Sequence, residues 1–234
     1  MRSRAVPPVS RRDRPAKPPL TRAGIVAVAV RVMHEEGLER ATMRRIAQEL
    51  DTGPASLYVY VQNVAELHGA VLDDQLATID LQPDMAPAGA PDRLVDLLTA
   101  FTMVLLAHPS LARSLLTLRP SGPNYLRLID ALLGLLLAGG TPVREAAWGV
   151  DILLQHATAV AAEQGTRAQS ATAGAETDEL ARALGEVPAD ELPHIARTAD
   201  ELLSGTGAER LRWSFRALIS GIASTPAHRA ATDR

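Results

Sequence analysis

Apolar side chains recur every three or four positions along most of the chain, and no segment sustains the apolar–polar alternation of a strand. The spacing predicts helices separated by Thr, Asn, Gly and Pro. Thr21 caps a first helix over 22–36 with Ile25, Ala29, Val32 and Met33 on one face, and Gly37 ends it. Thr42 caps a second over 43–50, which carries Met43, Ile46, Ala47 and Leu50. Asp51-Thr52-Gly53-Pro54 breaks that helix, Gly53 and Pro54 suit the start of a short third one over 55–61, and Asn63 caps a fourth that reaches about Asp80.

QPDMAPAGAP at 82–91 is a break rich in Pro and Gly. Beyond it the same periodicity predicts helices over 92–107, 110–118, 123–138, 142–164, 190–203 and 208–223, while GTRAQSATAGAETD at 165–178 reads as a mobile loop. The expectation is an all-α chain of nine to ten helices without internal repeats. Residues 1–19 form a basic, Pro-rich arm expected to be disordered, 20–66 a three-helix DNA-binding unit, 67–226 a ligand-binding and dimerisation bundle, and 227–234 a tail.

The stretch 42–63, TMRRIAQELDTGPASLYVYVQN, has the pattern of a helix-turn-helix. Leu57 and Val61 are four apart and face inward, which leaves Ser56, Tyr58, Val59 and Tyr60 to look elsewhere. A helix-turn-helix lays the exposed side of such a second helix in a DNA major groove.

Charge sharpens this reading. The 234-residue chain has a net charge of −3, yet residues 1–60 hold 11 Lys and Arg against 6 Asp and Glu, and residues 61–234 hold 13 against 21. The positive part surrounds the helix-turn-helix, although residues 1–20 account for the whole excess. At 47% hydrophobic and 3% aromatic, the core is aliphatic. Cysteine is absent, which is compatible with a reducing cytoplasm. The N-terminus lacks the apolar segment of a signal peptide, and the leucine-rich run 131–143 is too short to cross a bilayer. Six scattered histidines, with no nucleophile elbow or phosphate loop, suggest neither an enzyme nor a metal or cofactor site.

LTRAGIVAVAVRVMHEEGLERATMRRIAQELDTGPASLYVYVQNVAELHGAVLD resembles the DNA-binding domain of the tetracycline-repressor (TetR) family: a helix ending in EEGLE, then TMRRIAQEL, a turn, SLYVYV and N-x-x-E-L. HPSLARSLLTLRPSGPNYLRLIDALLGLLLAGGTP is similar to the C-terminal regulatory domain of the tetracycline-repressor subgroup, including Arg119-Pro120 and a helix start of GPN type. The resemblance implies a homodimeric repressor on a palindromic operator. A small molecule in the C-terminal domain then changes the spacing of the two heads and releases the DNA.

The same resemblance nominates residues. Arg44 matches a position that reaches DNA, where a guanidinium can grip a phosphate or a guanine edge. Arg45 is its neighbour. Ser56 matches a common Thr, and Tyr58 and Tyr60 match aromatic positions that meet the DNA backbone; for Tyr58 the alternative is packing between helices. Gly53, Pro54, Ala55 and Val59 complete the candidate surface, the last three as apolar groups suited to thymine methyls. Val64 stands where many members carry a phosphate-binding Lys. That leaves the N–H groups at the start of the fourth helix, and arm residues such as Arg11, Arg12 and Arg14, to attract the backbone.

For the effector, Asp151, Gln155 and Thr158 share one helical face, with His156 adjacent and Trp148 one turn before. His108, Leu111, Leu115 and Tyr125 are candidates from neighbouring helices. The alternatives are a satisfied buried pair or a dimer face. Leu115 occupies the position of a metal-ligating His in the tetracycline subgroup, and Asp80 that of a second drug-binding His, so tetracycline with magnesium is disfavoured. The expected partners are duplex DNA, a small apolar organic molecule and a second copy of the chain, not a membrane. An activator of the same fold, or an interaction protein whose head no longer reads DNA, remain the alternatives.

Overall fold

Side-chain caps set the starts of the first helices. Thr21 Oγ1 accepts from the N–H of Gly24 at 3.0 Å, Thr42 Oγ1 from Arg45 at 3.2 Å and Asn63 Oδ1 from Glu66 at 2.8 Å. In the computed structural model, which describes residues 19–81 and 89–227, the elements are α1 (Arg22–Glu36), a 3-10 turn (Leu38–Arg40), α2 (Met43–Glu49), α3 (Pro54–Leu57) and α4 (Val64–Leu76). They continue as α5 (Ala90–Ala107), α6 (Pro109–Leu115), α7 (Pro123–Ala138), α8 (Val143–Gln169), α9 (Ala173–Gly185), α10 (Pro193–Leu203) and α11 (Gly207–Ser224). No strand occurs among the described residues.

The chain folds as a small head on a larger bundle. In the head, Ile25, Ala29 and Val32 of α1 meet Ile46 of α2, Leu57 of α3 and Val61, all of them buried. The helix α4 runs from the head into the bundle with Leu67, Val71, Leu72 and Leu76 inward. There α5, α7, α8 and α11 pack lengthwise around Phe101, Leu128, Leu132, Leu153, Ala157 and Phe215. The short α6 crosses between head and bundle, touching the 3-10 turn, α4, α5 and α8.

Four expectations change. The segment 165–178 is not a loop: α8 continues to Gln169, and α9 starts at Ala173. Gly165 does not stop α8; it is buried where α6 abuts, and a Cβ there would stand 2.9 Å from the Pro109 ring. The described residues therefore hold eleven α-helices rather than nine or ten. The third helix is four residues long and passes into a turn through Tyr60, while α4 stops at Leu76. The arm expected at 1–19 lies outside the described residues up to position 18, as do 82–88 of the expected break and the tail from 228.

Candidate functional site

The head exposes one surface and buries the other. Gly53, at φ −79° and ψ 143°, leads into Pro54 at the first helical position. Leu57 is fully buried, whereas Pro54, Ala55, Ser56, Tyr58, Val59 and Tyr60 are exposed. Tyr58 does not pack between helices: it is 51% exposed, and Val59 is 81% exposed. The backbone keeps a helical course past α3, because the N–H groups of Tyr60 and Val61 both donate to the carbonyl of Leu57, at 2.9 and 3.0 Å.

The two arginines of α2 differ. Arg45 is held inside the head, donating through Nε and Nη2 to Glu36 at 3.1 and 2.6 Å and through Nη1 to Glu49 at 2.5 Å. These bonds push the Arg45 guanidinium pKa up and hold both carboxyls below the usual range. Arg31 adds a bond to Glu49 at 2.7 Å. Arg44 is exposed and forms none of these bonds.

At the start of α4, Val64 is 42% exposed. Glu66 reaches back, its Oε2 accepting from the N–H of Gln62 at 2.7 Å, with Arg22 at 3.5 Å from its other oxygen. A carboxylate is thus held on the N–H of Gln62, just before the helix start where the sequence reading expects N–H groups to attract phosphate.

The bundle contains a cavity of about 450 Å³. Its walls are Phe101 of α5, Leu115 of α6, the following residues Leu116 to Pro120, Tyr125 of α7, and Asp151, Leu154, Gln155, Thr158 and Ala159 of α8. Gln155 Nε2 donates to Asp151 Oδ2, Arg119 stands 3.8 Å from the same carboxylate, and the Thr158 hydroxyl donates to the Leu154 carbonyl at 2.8 Å. Burial, then the Asp151 charge, pushes the Tyr125 hydroxyl pKa up, with Arg119 opposing. The result is a partly open pocket of mixed polar and apolar lining, with a short polar row along α8 and a cation at its rim.

Four of the eight candidate effector residues line this cavity: Leu115, Tyr125, Asp151 and Gln155. The other four lie elsewhere. Leu111 is fully buried in the core. His108 meets His34 of α1 edge to face at 5.0 Å. His156 turns to α11, its Nε2 2.7 Å from Ser214 Oγ and its ring against Phe215. Trp148, 57% exposed, lies along an apolar groove between α8 and α11 with Gly149, Ile152, Leu218 and Ile222. The sequence reading misses Leu154 and Ala159, although they stand at i+3 and i+8 from Asp151 on the same face. No group of three or more His, Asp or Glu suited to a metal occurs among the described residues.

A polar seam joins head and bundle at α6. Ser110 donates to the Glu39 carboxylate of the 3-10 turn, and Arg113 reaches the same oxygen at 3.2 Å while touching Gln169 of α8 at 3.3 Å. His68 of α4 lies 3.3 Å from the Ser114 hydroxyl. Burial lowers the pKa of His68 against the pull of Glu39, and lowers that of His108 with help from His34.

Comparison with known proteins matches both parts. Residues 25–71 match the family described as bacterial regulatory proteins, tetR family, and residues 86–225 match the tetracyclin repressor-like, C-terminal domain. A crystal structure of a protein described as a transcription regulator from Streptomyces coelicolor is 52% identical, with a TM-score of 0.76 over 92% of this chain and 100% of that one. ActR of Streptomyces coelicolor, crystallised in complex with actinorhodin, is 34% identical with a TM-score of 0.78, covering 88% and 96% of the two chains. An HTH-type transcriptional regulator of Saccharopolyspora erythraea is 30% identical over 125 residues, 53% of this chain, which spans about half that relative, at 52% of its length. No single described helix is long and apolar enough to cross a membrane.

Proposed function

The chain belongs to the TetR family of bacterial transcriptional regulators, and from that premise we propose that it is a ligand-responsive repressor, binding a palindromic operator as a dimer and released by a largely apolar organic effector. The observation that carries this reading is the double role of α6. Its last residue, Leu115, walls the cavity, while Ser110 and Arg113 hold Glu39 of the head. A molecule that displaces the wall acts on the contact that sets the head's position. It shifts the equilibrium only by binding more tightly to the non-DNA arrangement.

The dimer face is the groove between α8 and α11. Trp148 and Ile152 are exposed there, and Ala217, Leu218 and Ile222 continue the apolar surface. A second copy that covers this face brings two heads to one palindrome.

The effector is a small organic molecule bound without metal. Leu115 cannot ligate one, and the polar row of Tyr125, Asp151 and Gln155 with Arg119 supplies hydrogen bonds for orientation. ActR holds actinorhodin, which makes that compound a reasonable first probe. The test selects a site from random duplex DNA with the full chain and then titrates actinorhodin and related polycyclic aromatics into the complex. Recovery of a palindrome and release by one of these compounds support the reading. Recovery of no site makes the chain an interaction protein, and DNA binding that raises transcription from a reporter makes it an activator.

A further inference from the structure

The centre of the reading surface holds no amide, carboxylate or cationic side chain. From Gly53 to Tyr60 the sequence is GPASLYVY, without Arg, Lys, Asn, Gln, Asp or Glu. With successive residues about 100° apart around a helix, Ala55 and Val59 lie opposite the buried Leu57 and Val61, and Ser56 stands beside them. Tyr58 and Tyr60 flank this line on either side. Val59 is the most exposed large apolar side chain of the described residues, at 81%. These positions rest on a rigid base, because Leu57 and Val61 are fully buried.

Resting on the reading that this surface enters a major groove, we infer that Val59 and Ala55 recognise thymine, through van der Waals contact with its 5-methyl group. Four base pairs present four donor–acceptor patterns in the major groove, but only thymine presents a methyl group, and an alkyl side chain can complement nothing else there. A cytosine at that place would set its N4 amino donor, and a guanine its O6 and N7 acceptors, against a side chain with no partner for them. Thymine's own O4 meets the same alkyl surface, so the contact with its methyl group makes the discrimination. Arg44, exposed and forming none of Arg45's ion pairs, is left as the cation for a guanine edge or a phosphate nearby. The operator half-site is therefore expected to carry one or two thymines under the centre of the helix.

The test replaces each thymine of the selected operator, in turn, by deoxyuridine. This deletes one methyl group and leaves every hydrogen-bonding group in place. Burial of one methyl predicts about a fourfold loss of affinity at the thymine facing Val59. In Val59→Ala, which shortens an exposed side chain, the difference between uridine and thymine at that position is expected to shrink, with other positions unchanged. Equal binding of uridine and thymine operators by the unaltered protein overturns the inference while leaving DNA binding intact. Failure to select any operator overturns the parent reading instead.

Discussion

The carboxylate of Asp73, on the helix that links head and bundle, accepts the backbone N–H of Tyr125 at 2.9 Å. An α4 side chain thus satisfies one of the free N–H groups at the start of α7, a helix that contributes Tyr125 to the cavity. Asn124 adds bonds to the Asp73 carbonyl at 2.9 Å and to its Oδ2 at 3.3 Å. Gly122 makes room for this arrangement, since a Cβ there would lie 2.2 Å from the Asp73 carboxylate. Asp73→Ala leaves a part-buried donor without a partner and is expected to cost about 1–3 kcal/mol. Gly122→Ala is also expected to destabilise, through the clash. Thermal unfolding of both variants checks this, and an unchanged midpoint in either contradicts it.

Arg44 and Arg45 are adjacent in sequence but are expected to give opposite phenotypes. Arg45→Ala removes the cation shared by Glu36 and Glu49 and brings two carboxylates into mutual repulsion. Its melting temperature is expected to fall. Arg44→Ala removes an exposed side chain, so its melting temperature should match the parent while operator affinity drops and the salt dependence becomes shallower. Scanning calorimetry beside binding at two salt concentrations separates them.

The parts of this arrangement governed by near neighbours are legible in the chain. Thr21, Thr42 and Asn63 cap helices as expected because the N–H groups they bind are three residues away. Gly165 misleads, because its value as a stop signal is overridden by the close approach of Pro109, a contact from a distant part of the chain. The same limit governs the cavity. Asp151 and Gln155 can be placed from helical spacing, but His156, beside that face, turns to Ser214, which is 58 residues away. His108 likewise goes to His34 rather than to the cavity. For a polar residue on a bundle helix, spacing gives the face, and only the packed neighbours decide what that face meets.

Acidification is expected to weaken the seam. Burial holds His68 and His108 below the ordinary histidine value of 6.5, so the unfolded chain takes up protons first. Their contribution is complete above that value and is lost as pH falls from it toward the lower folded values. Protonated His108 would also face His34, whereas Glu39 favours the protonated form of His68 and offsets part of its shift. Melting temperature measured between about pH 8 and 5 should decline through this window, and His108→Gln should flatten the decline. A flat profile in the parent refutes the assignment.

Loss of the dimer should follow from charge placed in the α8–α11 groove. Ile152 is 46% and Trp148 57% exposed in that groove, so Ile152→Glu and Trp148→Glu burden the interface without disturbing the core. Sedimentation should shift from dimer to monomer at micromolar concentration. Operator affinity should fall by more than about tenfold, because two linked heads bind far more tightly than one. A parent protein that sediments as a monomer refutes the dimer.

Filling the cavity should separate DNA binding from release. Ala159 lines the chamber on α8, away from the head and from the α8–α11 groove. Ala159→Trp puts a large ring into a space of about 450 Å³ and competes with any effector for it, while leaving Ser110, Arg113 and Glu39 in place. The variant is expected to bind the operator with the parent's affinity and to resist release by an effector that frees the parent. Gln155→Leu should act more mildly: it removes one orienting amide and raises the effector concentration needed, by roughly tenfold for a lost hydrogen bond of about 1.4 kcal/mol. Release should persist in the presence of a chelator, because the described residues offer no metal cluster and Leu115 supplies no ligand. Mobility shift of the operator complex, titrated with effector with and without the chelator, reads all three. Release that requires a divalent ion contradicts metal-free recognition. A filled variant released as readily as the parent places the effector outside this chamber.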